Sequence, residues 1–376
     1  MSSAESMRSL LMWIHARQNP EVCPARVTHA YRRMSGLGSQ VMLLANQMLE
    51  VIQEGGVYEV MNTSVSYVNP FGCHYGTWAC YVHPLSECSK SNAVAHVTLK
   101  RIVGCAAYNE SFWTAVGRSL TPPASPGAGV EFYLAGMIQY LLRPSAYLHS
   151  HIVQARNRSQ LRDHSDCVAL HARASGETQV DRSRLRNPPH PAAGYAAFAR
   201  QIAFSGGLTS FFVNSDLPSM VDQISEELRP WGSVYTMPRD MFPLLSSTAK
   251  GRETSQDAHR LQAQLYSAQA RHVPQANLAD EGAAMLAQII LAARCPRYIG
   301  SLASNVNRVA AGLRLGHLDR IHDIDGGAWF PCTVSQEVQQ GGPARLPADF
   351  VVWNASEHRA KLQGAPCKWT PINACA

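Results

Sequence analysis

Four small groups of side chains in this sequence have types and spacing suited to chemistry on an anionic ligand. The first is His171 with Arg173. They follow Cys167, Val168, Ala169 and Leu170, an apolar run too short for a helix, which reads as an interior strand of a parallel sheet. Open α/β sheets bind ligands outside the carboxyl ends of their strands, so a His and an Arg at this point face a crevice. The planar, permanently charged fork of Arg suits a pyrophosphate. A strand end carrying solvated polar residues accounts for the same pattern. The second group is Asn214-Ser215-Asp216, which closes an apolar run from Thr209 to Val213 and precedes Pro218 and an amphipathic helix to Leu228. That order is a βα unit, and it sets Asp216 at a strand end beside His171.

The third group is Ser304 and Asn305, which open a helix after a predicted strand from Arg297 to Ser301. A Ser-Asn pair at a helix start is a good cap, needing no ligand, and also a good phosphate site. The fourth is the turn Ser35-Gly36-Leu37-Gly38-Ser39 before a helix with Val41, Leu44, Met48 and Ile52 at helical spacing. Such a turn admits a phosphate to backbone N–H groups at the positive end of the helix dipole. It is not the dinucleotide GxGxxG, and a simple tight turn explains the glycines equally well.

The elements that must position these groups follow from the same pattern. Residues 1 to 20 read as a helical or disordered lead-in ending at Asn19-Pro20, and 54 to 130 as strands joined by long loops. The segment from Phe132 to Leu142 carries an apolar helical face, and Pro144 stops it before a second helix runs through Ile152. Tyr195 to Phe204 is predicted as a helix, Val234 to Thr236 as a short strand and Ala283 to Ala293 as a long apolar helix. Residues 245 to 275, polar and rich in Gln and Arg, read as a loop or exposed helix.

Composition sets the outer limits. A chain of 376 residues suits about two domains, and 46% hydrophobic with 16% charged residues is ordinary for a globular protein. The net charge of +6 comes from Arg, since Lys is confined to Lys90, Lys100, Lys250, Lys361 and Lys368. That favours small anionic ligands, and without a dense basic run there is no case for nucleic acid. The ten Cys include no CxxC pair and the His residues no HExxH, so no metal site is expected. Cys73 with Cys80, or Cys80 with Cys88, are close enough in sequence to pair in an oxidising compartment. The longest N-terminal apolar run, Leu10 to Ile14, is far short of the roughly 20 residues of a membrane span. No signal peptide is evident.

Seven short segments together resemble the eukaryotic α-1,6-fucosyltransferases, which add core fucose to N-glycans from GDP-fucose. They are QNPEVC from Gln18, SGLGSQ from Ser35, WACYVHPLSEC from Trp78, FYLAGMIQYLLRPSAYL from Phe132, VALHARAS from Val168, VNSDLPSM from Val213 and SLASNVNRVA from Ser301. All fall in the family's order. The resemblance implies an α/β, two-domain GT-B-like fold: an N-terminal α/β domain over residues 18–160, then a Rossmann-like domain with a mostly parallel sheet over 161–330 that binds the nucleotide sugar. Residues 1–17 are a lead-in and 331–376 an unmatched tail. It further implies that His171, Arg173, Gly36, Gly38, Asp216, Ser304 and Asn305 surround the donor, with Arg173 on the diphosphate. The partners implied are GDP-fucose and a glycan or glycoprotein acceptor, with no further cofactor and no metal. A carboxylate after the basic motif is implied as the base, and both Asp181 and Glu177 stand as candidates. Cys23 and Cys88 match a bonded pair of the family.

The departures from the family pattern are specific. Its second Arg is Ala174 here, an Asp two positions later is Gly176, and an Asp expected before the last donor-site strand is Gln288. Paired cysteines are replaced by Ser35 and Ser39, and by Gly300 and Asn307. A catalytically degenerate relative that binds a nucleotide sugar or glycan is therefore the alternative function. The resemblance places the protein in the Golgi lumen, with a cytoplasmic or truncated form as the alternative, because no signal or anchor is visible. A hydrolase is disfavoured, since no GxSxG motif is present.

Overall fold

A computed structural model of the chain describes residues 3–24, 26–29, 37–53, 55–60, 78–88, 95–98, 130–161, 164–173, 191–242, 275–301, 304–314, 321–323 and 350–352. Within them two parallel sheets are flanked by helices, the α/β, GT-B-like arrangement that the sequence implies. The smaller sheet has the order β2-β1-β3, from Val57–Glu59, Arg26–His29 and Ala95–Thr98. The larger contains β4 (Cys167–Ala172), β5 (Ser210–Ser215), β6 (Ser233–Thr236), β7 (Arg297–Gly300), β8 (Ile321–Asp323) and β9 (Phe350–Val352) in the order β6-β5-β4-β7-β8-β9. Every pairing in it is parallel. From β4 the chain winds outward through β5 and β6, then returns to the opposite side of β4 as β7. The point of reversal lies between β4 and β7, where such sheets hold their ligands.

All six residues of β4 are buried, which explains its unbroken apolar run. Cys167 and Ala169 face one cluster of the core with Phe212 and Tyr298, while Val168, Leu170 and Ala172 face the other with Phe211, Val213 and Ile299. Alternation along the strand thus places His171 on the same face as Ala169. On the second face lie α5 (Ala192–Gly206) and α6 (Pro218–Leu228), which bury Tyr195, Phe198, Ile202, Ile224 and Leu228. The first face is covered by α7 (Gln275–Arg294), whose buried Ala283, Leu286, Ala287 and Ile290 keep helical spacing.

Helix α1 (Ser3–Gln18) takes the helical of the two forms expected for the lead-in and packs into the core. Met7, Leu10 and Ile14, at helical spacing, are at most 1% exposed. They meet α3 (Val130–Leu141) at Gly136, where an added Cβ would lie 2.5 Å from Leu10 Cδ2. Beyond Pro144, α4 (Ala146–Ser159) is capped by Ser145, whose side chain accepts from Leu148 N at 3.2 Å. Helix α2 (Leu37–Gln53) buries Val41, Leu44, Met48 and Ile52 as its spacing predicts.

A single apolar cluster runs from Met7 to Ala311 and includes residues of α1 to α4, α7 and α8 (Asn305–Arg314). The helices of residues 130–161 therefore pack with those of the larger sheet. That sheet also extends past residue 330, because β9 pairs with β8 inside the expected tail.

Two disulfides join cysteines that both lie among the described residues. Cys23 and Cys88 are bonded with Cα atoms 5.4 Å apart, the pairing that the family resemblance implies. This excludes a bond between Cys80 and Cys88; Cys80 is itself disulfide-bonded. The second bond, between Cys167 and Cys295, has a Cα separation of 5.1 Å and closes a separation of 128 residues. It joins the start of β4 to the turn before β7, at the opposite end of those strands from His171. Among the described residues, no helix is long and apolar enough to cross a membrane.

Candidate functional site

The site is built where β4 and β7 end. Arg173 follows β4 and Ser304 follows β7, and their side chains meet across the reversal point: Arg173 Nη1 donates to Ser304 Oγ at 3.3 Å. Ser304 is 2% exposed, and its backbone N–H donates to Ser301 O at 2.9 Å, which shapes the turn into α8. The guanidinium is thus held at the mouth of a helix N-terminus. Two elements remote in sequence have been brought to one point.

A second helix start converges there. An added Cβ on Gly38 would lie 2.7 Å from Val306 N and 2.9 Å from Asn305 C, so only a residue without a side chain lets the first turns of α2 and α8 touch backbone to backbone. Asn305 Nδ2 donates to Ser39 Oγ at 2.7 Å, and Arg308 Nη1 donates to Asn305 Oδ1 at 2.9 Å. Neither helix carries an acidic residue in its first turn. An anion at this point would meet the positive ends of both helices and the Arg173 cation.

The start of α8 is fixed from below by Asn307, which is fully buried. Its Nδ2 donates to Ser301 O at 2.9 Å and its Oδ1 accepts from Tyr298 Oη at 2.6 Å. Asn307 fills the space next to Gly300: an added Cβ there would lie 2.6 Å from Asn307 Cγ. Positions 300 and 307 are thus in direct contact, as two positions that hold a disulfide in the resembled family must be.

His171 departs from the expectation of a polar strand end. It lies inside β4, is 7% exposed and pairs in register with Asn214 on β5 and Gly300 on β7. Burial pushes its pKa below the ordinary value of 6.5, the Asp216 carboxylate opposes that shift, and the Arg173 cation adds to it. The imidazole is accordingly neutral at neutral pH, and its Nδ1 has no hydrogen-bond partner in another described residue. Strand β5 likewise runs to Ser215, so Asn214 and Ser215 belong to the strand instead of following it. Asp216 stands just beyond, where it interacts with His171 and accepts from Ser215 Oγ at 3.4 Å.

Beside this point an open cleft lies over the ends of β5 and β6. Asn214 and Gln288 are among its lining residues, with Val221, Thr236, Met237 and Phe242. Gln288 reaches it from α7 and is 8% exposed. Asp222 and Arg239, both more than half exposed, form an ion pair at the rim.

The sequence-predicted residues thus separate into two sets. His171, Arg173, Asp216, Gly38, Ser304 and Asn305 surround the ends of β4, β5 and β7, whereas Gly36, Glu177 and Asp181 lie outside the described residues, as do Ala174 and Gly176. Residues not anticipated are Tyr298, Arg308 and the pair Cys167–Cys295. Asn214 was legible as part of a strand-end motif, and the cysteine pairing depends on strand order, which spacing does not encode. Among the described residues, His164, Cys167 and Cys295 bring ligand atoms within 4.8 Å of one another, with the two sulfurs consumed by their mutual bond.

No protein-family model and no curated protein matches this chain. Among solved structures it is similar to NodZ alpha-1,6-fucosyltransferase soaked with GDP-fucose, at 15% identity and a TM-score of 0.43 over 80% of this chain and 96% of that one. It is similar to a mutant of Arabidopsis thaliana FUT1 in complex with GDP, at 11% identity and a TM-score of 0.44 over 82% and 73% of the two chains. The apo form of POFUT1 follows at 12% identity and a TM-score of 0.38 over 78% and 96%. At these values the site must stand on its own residues; the solved structures that the chain is similar to are fucosyltransferases.

Proposed function

We propose that this protein is an inverting, metal-independent glycosyltransferase that moves fucose from GDP-fucose to an N-glycan or related glycan acceptor. The observation that carries the reading is the convergence of Arg173, Ser304 and the first turns of α2 and α8 at the reversal point of a parallel sheet. A guanidinium, a hydroxyl and two helix N-termini without an acidic residue in their first turns are suited to a diphosphate. In the transfer, the acceptor hydroxyl attacks the sugar's anomeric carbon from the face opposite the nucleotide and passes its proton to a carboxylate, Asp181 or Glu177. The bond from that carbon to the phosphate oxygen breaks, and GDP departs with the electron pair. Arg173 and the helix termini stabilise the charge that builds on the leaving group, a task otherwise given to a metal ion.

The cleft over β5 and β6 adjoins the anchoring point by one to two strand spacings, about 5 to 10 Å, which suits the nucleoside of the same donor. The implied compartment is the Golgi lumen, a setting in which the bonds of Cys23 to Cys88 and Cys167 to Cys295 persist. A second reading is favoured by Gln288, which lines the cleft as a neutral amide where the resembled family has a carboxylate: a relative that binds the nucleotide sugar without transferring it. Calorimetry with GDP, GDP-fucose and UDP-sugars, followed by transfer assays on glycan acceptors, tests both. The reading expects binding of the two guanosine ligands alone and transfer of fucose. Equal or absent binding across the panel overturns the donor; firm GDP binding without transfer selects the second reading.

A further inference from the structure

The cleft contains a polar atom that the fold itself does not satisfy. Asn214, on β5, is 2% exposed, and its Nδ2 donates to Leu170 O at 3.4 Å, while its Oδ1 has no hydrogen-bond partner among the described residues. The orientation of the amide is set by that contact, because the flipped assignment would turn oxygen toward oxygen. A buried carbonyl without a donor is costly, and a ligand or ordered water that donates to it removes that cost. Nδ1 of His171, the register partner of Asn214 on β4, has no hydrogen-bond partner in another described residue. Register partners on adjacent parallel strands present their side chains to one face. Two unsatisfied polar atoms therefore lie side by side on that face, next to the anchoring residues Arg173 and Ser304.

We infer that Asn214 is a specificity-determining residue of this cleft, its Oδ1 accepting a hydrogen bond from an N–H on the edge of the base of a nucleoside diphosphate. The inference rests on the donor reading above and deepens it by naming what selects the base. The cleft's chemistry agrees with a flat heteroaromatic ring. Val221, Met237 and Phe242 supply apolar surface, and Gln288 adds a second amide that both donates and accepts. Guanine offers a ring N–H, an exocyclic amine and a carbonyl along one edge, a set that two carboxamides can meet. A site built to bond an N–H discriminates strongly against a ligand that lacks it, since its buried carbonyl is then left unpaired.

Calorimetry with the full chain tests this, using GDP, inorganic pyrophosphate and two methylated analogues. In the wild type, GDP binds more tightly than pyrophosphate. Methylation at guanine N1, which blocks the bonding edge, lowers affinity by about tenfold or more, whereas methylation at N7 does not. In Asn214→Ala, GDP affinity falls about tenfold and pyrophosphate affinity is unchanged, which also shows that the variant is folded. Wild-type affinity for GDP in Asn214→Ala, or equal tolerance of the two methyl groups by the wild type, overturns the assignment of Asn214 and leaves the diphosphate site standing. If the variant does not fold, the wild-type comparison of the methylated analogues decides alone. Absence of binding by both GDP and pyrophosphate removes the donor reading and this inference with it.

Discussion

An added Cβ on Gly300 would lie 2.6 Å from Cγ of Asn307, so the end of β7 and the third residue of α8 fit together only because one has no side chain and the other a short one. The Asn307 amide does more than fill space. It bonds Ser301 O and Tyr298 Oη, and so fixes the turn that presents Ser304. Gly300→Ala is expected to cost about 1 to 3 kcal/mol by overpacking. Asn307→Ala in the same chain should recover part of that loss, a non-additivity that a double-mutant cycle in denaturant reads directly. Gly300→Cys with Asn307→Cys should form a disulfide, seen as no gain in free thiols under non-reducing titration.

Arg173 is the charged member of the anchoring point. Arg173→Ala is expected to weaken GDP binding by about 2 to 3 kcal/mol, near two orders of magnitude, by removing a charge-assisted contact. Arg173→Lys should recover only part, because an ammonium cannot reproduce the planar fork that meets both Ser304 and a phosphate. Calorimetry on the two variants checks this, and full recovery by Lys would show that a point charge suffices.

The bond between Cys167 and Cys295 holds β4 to β7 at the end remote from the site. Replacing both by Ala should lower unfolding free energy by about 3 to 5 kcal/mol, since the closed loop is long and the chain-entropy contribution grows with its length. A denaturant titration reads the effect. The companion prediction is weakened GDP binding, because the same two strands carry Arg173 and Ser304 at their far ends.

Local features of this fold were legible in the sequence, and long-range ones were not. The short apolar run before His171, the pair Ser304-Asn305 and the glycines around the start of α2 each announced a strand end or a helix start, because period and capping are written within a few residues, although α2 begins at Leu37 and so takes in Gly38 and Ser39 of the expected turn. That Gly38 touches Val306, or that Cys167 bonds Cys295, depends on how remote elements pack, which no window of sequence contains. The same limit made α1 look like a lead-in. Its apolar residues Met7, Leu10 and Ile14 are few, and only their burial against Gly136 shows what they are for. Strand ends shifted for a related reason: polar His171 and Asn214 read as the points where their strands end, yet parallel pairing carries both into the sheet.

The buried imidazole gives a pH dependence with a definite sign. Burial lowers the pKa of His171 below 6.5 in the folded state, so the unfolded chain binds the more protons as pH falls. Stability is therefore full above the unfolded value, declines as pH drops through about 6.5, and levels off below the folded value. Melting temperatures measured from about pH 7.5 to about pH 5 should fall more steeply in the wild type than in His171→Asn, which lacks the group. Equal slopes would mean that His171 is not held neutral by burial.

The base of the proposed transfer falls to one of two carboxylates, and binding and turnover separate them. Proton removal from the acceptor matters only in the transition state, so a variant lacking the base should bind the donor normally and fail in transfer. Asp181→Asn is expected to leave GDP-fucose affinity within about twofold of the wild type and to reduce transfer by about 100-fold or more. Glu177→Gln then serves as the comparison: if Asp181 is the base, this variant retains most of its rate. The reverse pattern, with transfer surviving Asp181→Asn and lost in Glu177→Gln, assigns the base to Glu177. The acid limb of the pH profile of kcat/KM gives an independent check, because it follows the ionisation of whichever carboxylate accepts the proton and should disappear from the variant in which that group has become an amide.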